Sequence, residues 1–380
     1  MQNHSWAEPI FHQFTSDLIV RSGFLPNTVR LDIGAADEMY AASVKSYPGN
    51  VGLALFKYIE SGLRMFDVYR QAVARLGGFH RLGPVLDFGS GWGRLTRFLA
   101  HYHHLDRIWA SDLYHDAVAW QAETFGVNGL VSVSDPDRFA FSQQHSIVFA
   151  GSVFTHLPPD LFQRWMRKLY RLVAPDGVMM FSVSDETWLR PGDALSADGI
   201  TFFRRSESAS LDLGIYGDTF VNQDYLASTI ASCDPSRKLS WRSFPKALYE
   251  NQRLCIVAGR DINIDDFELK IAPIGGSTYF RSDGRVGIGG WGIDLNPRQK
   301  IVAARVFVGD LAVAEMVPVL EYDEASKYFP AAPNPAVQWS FDLEPQPPGT
   351  VLRIEMISST GSKAYCYFAM PSLPAYVPRT

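Results

Sequence analysis

The sequence predicts an α/β fold, an open and mostly parallel sheet wound with helices, followed by an antiparallel β-sandwich domain. Three features predict it. Between residues 85 and 183 short apolar runs alternate with amphipathic stretches of helical spacing. The first run, Val85-Leu86-Asp87-Phe88, breaks into the turn Gly89-Ser90-Gly91-Trp92-Gly93-Arg94. From about residue 267 the pattern changes to strands punctuated by turns.

Taken in order, residues 1 to about 80 precede the sheet as a helical segment. Val51 to Leu76 has helical spacing, with Leu55, Ile59, Leu63, Phe66 and Val73 toward a core. Tyr40 and Tyr47 stand before it near a Pro48-Gly49 turn, as packing residues or as part of a pocket wall. After Pro84, Val85, Leu86 and Phe88 suit a buried parallel strand, and Arg94 to Tyr102 follows as a helix with Leu95, Phe98 and Leu99 on one face. Arg107 to Asp112 is the second strand, Tyr114 to Phe125 its helix, Gly129 to Val133 the third strand and Ser146 to Ala150 the fourth. Pro158 and Pro159 suit the first turn of a helix over Asp160 to Val173, where Leu161, Trp165, Leu169 and Leu172 recur at helical spacing. Ala174-Pro175-Asp176-Gly177 closes that helix before a fifth strand, Val178 to Val183. Asn222 to Ser232 is helical, and Leu239 to Phe244 with Arg253 to Ala258 form a final antiparallel pair, which completes seven strands.

The glycine turn carries the chemistry. Glycines let the backbone turn sharply and approach a ligand without side chains in the way. A dinucleotide site would want a third glycine where Arg94 stands, so the spacing argues against a pyrophosphate. Asp87 argues the same way, because a carboxylate there repels a pyrophosphate but accepts hydrogen bonds from an ammonium. Asp112, at the end of the second strand, is placed for a bidentate bond to ribose hydroxyls. The two acids divide one ligand between them.

The order Val-Leu-Asp-Phe-Gly-Ser-Gly-Trp-Gly-Arg, then Ser-Asp, then Ser-Val-Phe-Thr-His-Leu, then Leu-Val-Ala-Pro-Asp-Gly-Val resembles the class I S-adenosylmethionine-dependent methyltransferases over roughly residues 80 to 260. The resemblance implies a Rossmann-like seven-stranded methyltransferase fold whose last strand is antiparallel, with S-adenosylmethionine as cofactor and no metal. It also implies that Asp87, Gly89 and Gly91 hold the methionine moiety, Asp112 the ribose, and Leu113 and Asp135 the adenine. Ser90, Arg94 and Ser152 complete the candidate cofactor set, Arg94 either reaching the methionine carboxylate or covering the helix surface. The segment before the fold would cover the cofactor and shape the acceptor pocket. Two positions depart from the family pattern: His145-Ser146 stands where many members have an acid at the start of the fourth strand, and Asp176 where a glycine often precedes Gly177.

Composition narrows the acceptor and the setting. At 380 residues the chain exceeds one typical domain, and we expect a helical cap over 1–80, the methyltransferase domain over 81–261 and the sandwich over 267–380, with Ile262–Asp266 as linker. A net charge of −5 gives no general footprint for nucleic acid, which disfavours DNA or RNA as acceptor. Cys233, Cys255 and Cys366 are few and far apart, and Met1–Trp6 lacks the basic and apolar regions of a signal peptide, so the cytoplasm is the expected compartment. Val51 to Phe66 is interrupted by Lys57, Glu60 and Arg64 and cannot span a bilayer.

Asp185 to about Thr219 reads as an irregular insert over the carboxyl ends of the strands, the natural acceptor loop. Its Arg204 and Arg205, beside Phe202 and Phe203, would grip an anionic or sugar-like acceptor or form a solvated face. In the sandwich, Gly287-Ile288-Gly289-Gly290-Trp291-Gly292 suggests a bulged strand or a close backbone approach, and Trp291 is core or a sugar platform. Together with Val306–Asp310 it resembles modules attached to bacterial glycan-modifying enzymes. Methyl transfer to a hydroxyl calls for a general base, and His156, just past the fourth strand, is the candidate, against a purely structural place at the next helix start. The favoured reading is O-methylation of a sugar or glycan precursor. The alternatives are methylation of a small metabolite or lipid, and a non-catalytic binding protein. The oligomeric state is left open.

Overall fold

The computed structural model describes residues 7–205, 212–249, 251–275, 279–282, 286–296, 300–323, 329, 334–344, 346–347 and 349–370. Met1–Trp6, residues 206–211 of the expected acceptor loop, Pro297 and Pro348 lie outside the described residues. The chain divides into two compact units, Thr15–Leu269, and Lys270–Thr380 together with Met1–Phe14.

The larger unit takes Thr15–Arg21 of the helix α1 (Ala7–Arg21), followed by α2 (Glu38–Ser46) and α3 (Val51–Arg75). Asp37 caps α2 by accepting from the Tyr40 N–H at 3.0 Å, and Asn50 caps α3 by accepting from Leu53 N–H at 3.0 Å. Helix α3 buries Ile59, Leu63, Phe66 and Val73 as its spacing predicts, whereas Leu55 is only half-buried. Then β1 (Val85–Phe88), α4 (Thr96–Tyr102), β2 (Ile108–Asp112), α5 (His115–Phe125), β3 (Asn128–Val131), β4 (His145–Ala150), α6 (Pro159–Tyr170) and β5 (Val173–Asp185) alternate. These five strands lie parallel in the order β3-β2-β1-β4-β5, so the winding reverses between β1 and β4. Helix α4 starts two residues later than expected, because Gly91–Leu95 form turns. Strand β5 starts earlier, because Val173 already pairs with His145.

The chain returns through β8 (Trp241–Leu248) and β9 (Gln252–Ala258), β9 running antiparallel to β5 and β8 pairing with β9. These complete the expected seven strands. The insert, read as irregular, adds two more: β6 (Ile200–Phe203) and β7 (Asp218–Val221), with β7 parallel to the end of β5 through Ser184↔Phe220 and Asp185↔Val221. Its Ile-Thr-Phe-Phe and Thr-Phe-Val runs are β-formers whose pairing depends on a distant partner, so its turn residues and arginines dominated the sequence pattern. Helix α7 (Gln223–Ala231) follows, capped by Asn222. The strands carry apolar residues on both faces, and Leu86, Phe88, Val148, Ala150, Met179 and Phe181 join one core with Phe162, Trp165 and Leu169 of α6.

The smaller unit holds two antiparallel sheets. One is ordered Ile274–Gly275, Val286–Ile293, Val337–Leu343, Leu320–Glu321, with Tyr279–Ser282 also pairing Val286–Ile293. The other is ordered Leu311–Met316, Ile301–Val308, Val351–Ser358, Lys363–Ala369. Ile288, Trp339 and Phe341 of the first sheet share a core with Val306, Leu352 and Ile354 of the second, the arrangement of a sandwich. The glycine-rich strand is explained by close approach and not by a bulge. Its register with Val337–Leu343 is continuous, and a Cβ on Gly290 would stand 2.4 Å from the Trp339 ring. Trp291 is half-buried against Phe329, ring centroids 5.9 Å apart.

Candidate active site

A cavity of about 520 Å³ opens beyond the carboxyl ends of β1, β2 and β4, where the strand order reverses. The turn after β1 forms one wall. Gly89, Gly91 and Gly93 take φ of 70°, 55° and 77°, left-handed values that favour glycine, and a Cβ on Gly89 would lie 2.3 Å from Val153 Cγ2. Asp112 closes β2, its Oδ2 accepting from the Gly91 N–H at 2.8 Å and its Oδ1 from the Tyr114 N–H at 3.1 Å. Burial pushes the Asp112 carboxyl above its ordinary range, against the pull of those backbone donors. Asp87 is buried within β1 and accepts from the Thr96 hydroxyl at 2.8 Å. Burial pushes it up to about 7; the Thr96 hydroxyl lowers it and the neighbouring Asp112 charge raises it.

Gly89, Ser90, Gly91, Arg94, Asp112, Leu113, Ser152 and His156 all line this cavity. Two of the expected residues do not. Asp87 stands behind the wall, tied to Thr96. Asp135 caps the turn Pro136–Arg138 and pairs with Arg164, so its carboxylate is committed, and the neighbouring wall is Ser132, Val133 and Ser134. Ser152 holds a left-handed φ of 59°, unusual for a residue with a Cβ. Its N–H donates to Ser182 Oγ at 2.8 Å and its hydroxyl to Gln252 Oε1 at 3.1 Å, which hold it there.

The lining also takes in residues that the sequence does not single out, among them Tyr249, Tyr58 and Asp37. Arg94 donates to Tyr249 Oη at 2.7 Å and its guanidinium lies 4.5 Å above the Tyr249 ring, so it faces the cavity with an aromatic partner. Tyr249 follows β8, which runs past the Phe244 expected as its end. Tyr58 of α3 donates to Asp37 Oδ2 at 2.5 Å and both line the cavity. Tyr40 packs edge-on against Tyr58, centroids 5.7 Å apart, in the packing role.

His156 precedes α6 by three residues instead of starting it. Its Nδ1 lies 2.8 Å from the Gly217 carbonyl and its ring stacks on Tyr216, with centroids 4.3 Å apart and planes at 17°. A carbonyl only accepts, so Nδ1 carries the proton and Nε2 is the basic nitrogen of the neutral ring. Of the insert arginines, Arg204 is exposed, and Arg205 is held by Asp193 at 2.5 Å and Asp218 at 2.8 Å above the Phe203 ring. Arg205 staples the hairpin together and does not reach out to grip a ligand. His145 is buried at the start of β4, where burial lowers its ring to about 4, and it lies outside the cavity lining. Among the described residues no group of three His, Cys, Asp or Glu could hold a metal, and no helix is long and apolar enough to cross a membrane.

Residues 85–177 match a family model described as a methyltransferase domain. The chain carries a methyltransferase domain. The matched segment spans the glycine turn, Asp87, Asp112 and His156. No curated protein matches the chain in sequence. Among solved structures the chain resembles DhpI in a DhpI-SAM-HEP complex, at 20% identity over 60% of this chain and 99% of that one, TM-score 0.37. It also resembles the 1,6-didemethyltoxoflavin-N1-methyltransferase of Burkholderia thailandensis, at 19% over 60% and 93%, TM-score 0.35. A third is an S-adenosylmethionine-dependent methyltransferase of Clostridium acetobutylicum ATCC 824, at 12% over 54% and 97%, TM-score 0.36.

Proposed function

We propose that this methyltransferase O-methylates a hydroxyl of a sugar or glycan precursor, with His156 as general base. The observation that carries the reading is His156 on the cavity wall with its Nδ1 at the Gly217 carbonyl, which makes Nε2 the basic nitrogen of the ring. When bound, S-adenosylmethionine supplies an electrophilic methyl group on a cationic sulfur. Asp112 would accept from the ribose hydroxyls, Asp87 would favour the ammonium, Arg94 the carboxylate, and Leu113 with Ser132–Ser134 would frame the adenine. The enzyme's remaining contribution is alignment of the acceptor oxygen and exclusion of water by the cap and insert.

The lining supports an uncharged, hydroxyl-rich acceptor. Tyr58, Tyr216 and Tyr249 offer aromatic faces, and Ser184, Asn251 and Gln252 offer hydrogen bonds. Among the described lining residues Arg94 is the only Arg or Lys, against the acidic side chains Asp37, Glu38, Asp112 and Asp218. An anionic group beside the reacting hydroxyl would meet like charge, which costs several kcal/mol in a desolvated site.

The test is release of S-adenosylhomocysteine when purified protein and S-adenosylmethionine meet a panel of neutral glycosides, nucleotide sugars, small metabolites and lipids. Turnover with glycosides, lowered roughly 10²–10⁴-fold by His156→Gln, is expected. Turnover confined to metabolites or lipids would overturn the glycan reading, and saturable cofactor binding without turnover on any class would favour a binding role.

A further inference from the structure

The insert between β5 and β7 does more than wall the cavity. The segment Thr155–Leu157, which carries His156, is zipped to Gly217–Thr219 of the insert. Gly217 N–H donates to the His156 carbonyl at 2.9 Å, Thr219 N–H to the Thr155 carbonyl at 2.8 Å, and Thr219 Oγ1 to the Leu157 carbonyl at 2.6 Å. The register is fixed from the other side as well, since a Cβ on Gly217 would stand 2.3 Å from the Phe203 carbonyl of β6. This short ladder brings the Gly217 carbonyl to Nδ1 of the imidazole and lays the Tyr216 ring flat against it.

A histidine ring turns easily about χ2, and a turn moves Nδ1 away from any single acceptor. The carbonyl fixes the tautomer, but only while the ring stays in the plane that lets Nδ1–H point at it. The parallel face of Tyr216 at 4.3 Å is what opposes tilting out of that plane. Resting on the reading of His156 as base, we propose that Tyr216 is a positioning residue: by stacking on the imidazole it keeps Nδ1 on the Gly217 carbonyl and so keeps the proton off Nε2. Tyr216 and its neighbours Ile215, Asp218 and Phe220 line the same cavity, so the insert that would meet the acceptor also sets the protonated nitrogen of the base.

The test reads the tautomer directly and needs no acceptor. Protein labelled with ¹⁵N-histidine is saturated with S-adenosylhomocysteine at pH 8, and long-range ¹H–¹⁵N correlation spectra are recorded, with His156→Gln assigning the ring. Wild type and Tyr216→Phe are expected to show a protonated Nδ1 and an unprotonated Nε2. Tyr216→Ala and the bulkier Tyr216→Leu, which both remove the flat ring, are expected to move the Nε2 signal toward the protonated position as both tautomers become populated. An unchanged His156 pattern in Tyr216→Leu, the variant that best preserves folding, would overturn the positioning role while leaving the base in place. Loss of the pattern in Tyr216→Phe would overturn stacking as its cause. A protonated Nε2 in the wild type would instead remove the base itself, a failure visible before any Tyr216 variant is made.

Discussion

The Gly91 N–H donates to Asp112 Oδ2 at 2.8 Å, tying the turn after the first strand to the acid at the end of the second. The glycine is required there by conformation alone, since its φ is 55° and a Cβ would meet nothing within 4 Å. At Gly89 conformation and space both forbid a side chain. Gly91→Ala is therefore expected to cost about 1–2 kcal/mol of left-handed strain and to weaken cofactor binding through Asp112. Gly89→Ala is expected to cost more, from the clash with Val153. Thermal melts of both variants check the ranking, and equal losses would contradict it.

Cofactor affinity is expected to rise with pH through neutrality. Burial raises Asp87 to about 7 from an ordinary 3.8, so below that pH the carboxyl is largely neutral and offers an ammonium no charge. The sign for stability is opposite: the folded state holds this proton more tightly than the unfolded chain, so the contribution of Asp87 is fully present below about 3.8 and is lost as pH rises through about 7. Calorimetric titration with S-adenosylmethionine should show affinity falling up to about tenfold per pH unit below 7, with protons released on binding at pH 6.5. In Asp87→Asn that slope should vanish.

The sandwich carries an acid with the same sign. Asp294 is 1% exposed; its Oδ1 accepts from the Asn296 N–H at 2.9 Å, while Oδ2 has no hydrogen-bond partner among the described residues. Burial pushes it up to about 6 from 3.8, so it opposes folding increasingly as pH rises from about 3.8 through about 6. Asp294→Asn is expected to raise the Tm at pH 8, by the equivalent of roughly 1–3 kcal/mol, and to change little only below about pH 3.8. A loss of Tm at pH 8 would mean that the charge is paired.

Gly62 in α3 sets helix propensity against packing. Alanine would gain about 1 kcal/mol by propensity, but its Cβ would lie 2.4 Å from the Arg94 carbonyl, which is backbone. Gly62→Ala is expected to destabilise by roughly 1–3 kcal/mol, read by denaturant unfolding; a gain would show that α3 can shift away from the site.

How much of this was legible follows from where each signal lies. Strands β1 to β5 and their helices were readable because local apolar period and the turn at Gly89–Gly93 agree. The hairpin of β6 and β7 was not, because its pairing to Ser184 and Asp185 is decided by a partner far along the chain. The place of Asp112 on the cavity wall was readable from its position at the end of an apolar run, whereas Asp87, read in the same way, stands behind the wall. Tyr249, Tyr58 and Asp37 were not readable, since a tyrosine in a turn or on a helix says nothing of the cavity it will face. Asp135 misled for a related reason: the residue at the end of a strand can point away from the ligand, and here Arg164 holds it. The fixing of His156 by Gly217 and Tyr216 joins segments some sixty residues apart, as the 61-residue separation of His156 and Gly217 shows, and no local pattern records it.

The account stands most directly on calorimetric titration of the wild type and of Asp112→Ala with S-adenosylmethionine at pH 8. Saturable one-site binding to the wild type, weakened at least about 10²-fold in the variant through loss of charge-assisted hydrogen bonds, is the predicted result. No binding to the wild type, or equal affinity in the two proteins, would contradict it.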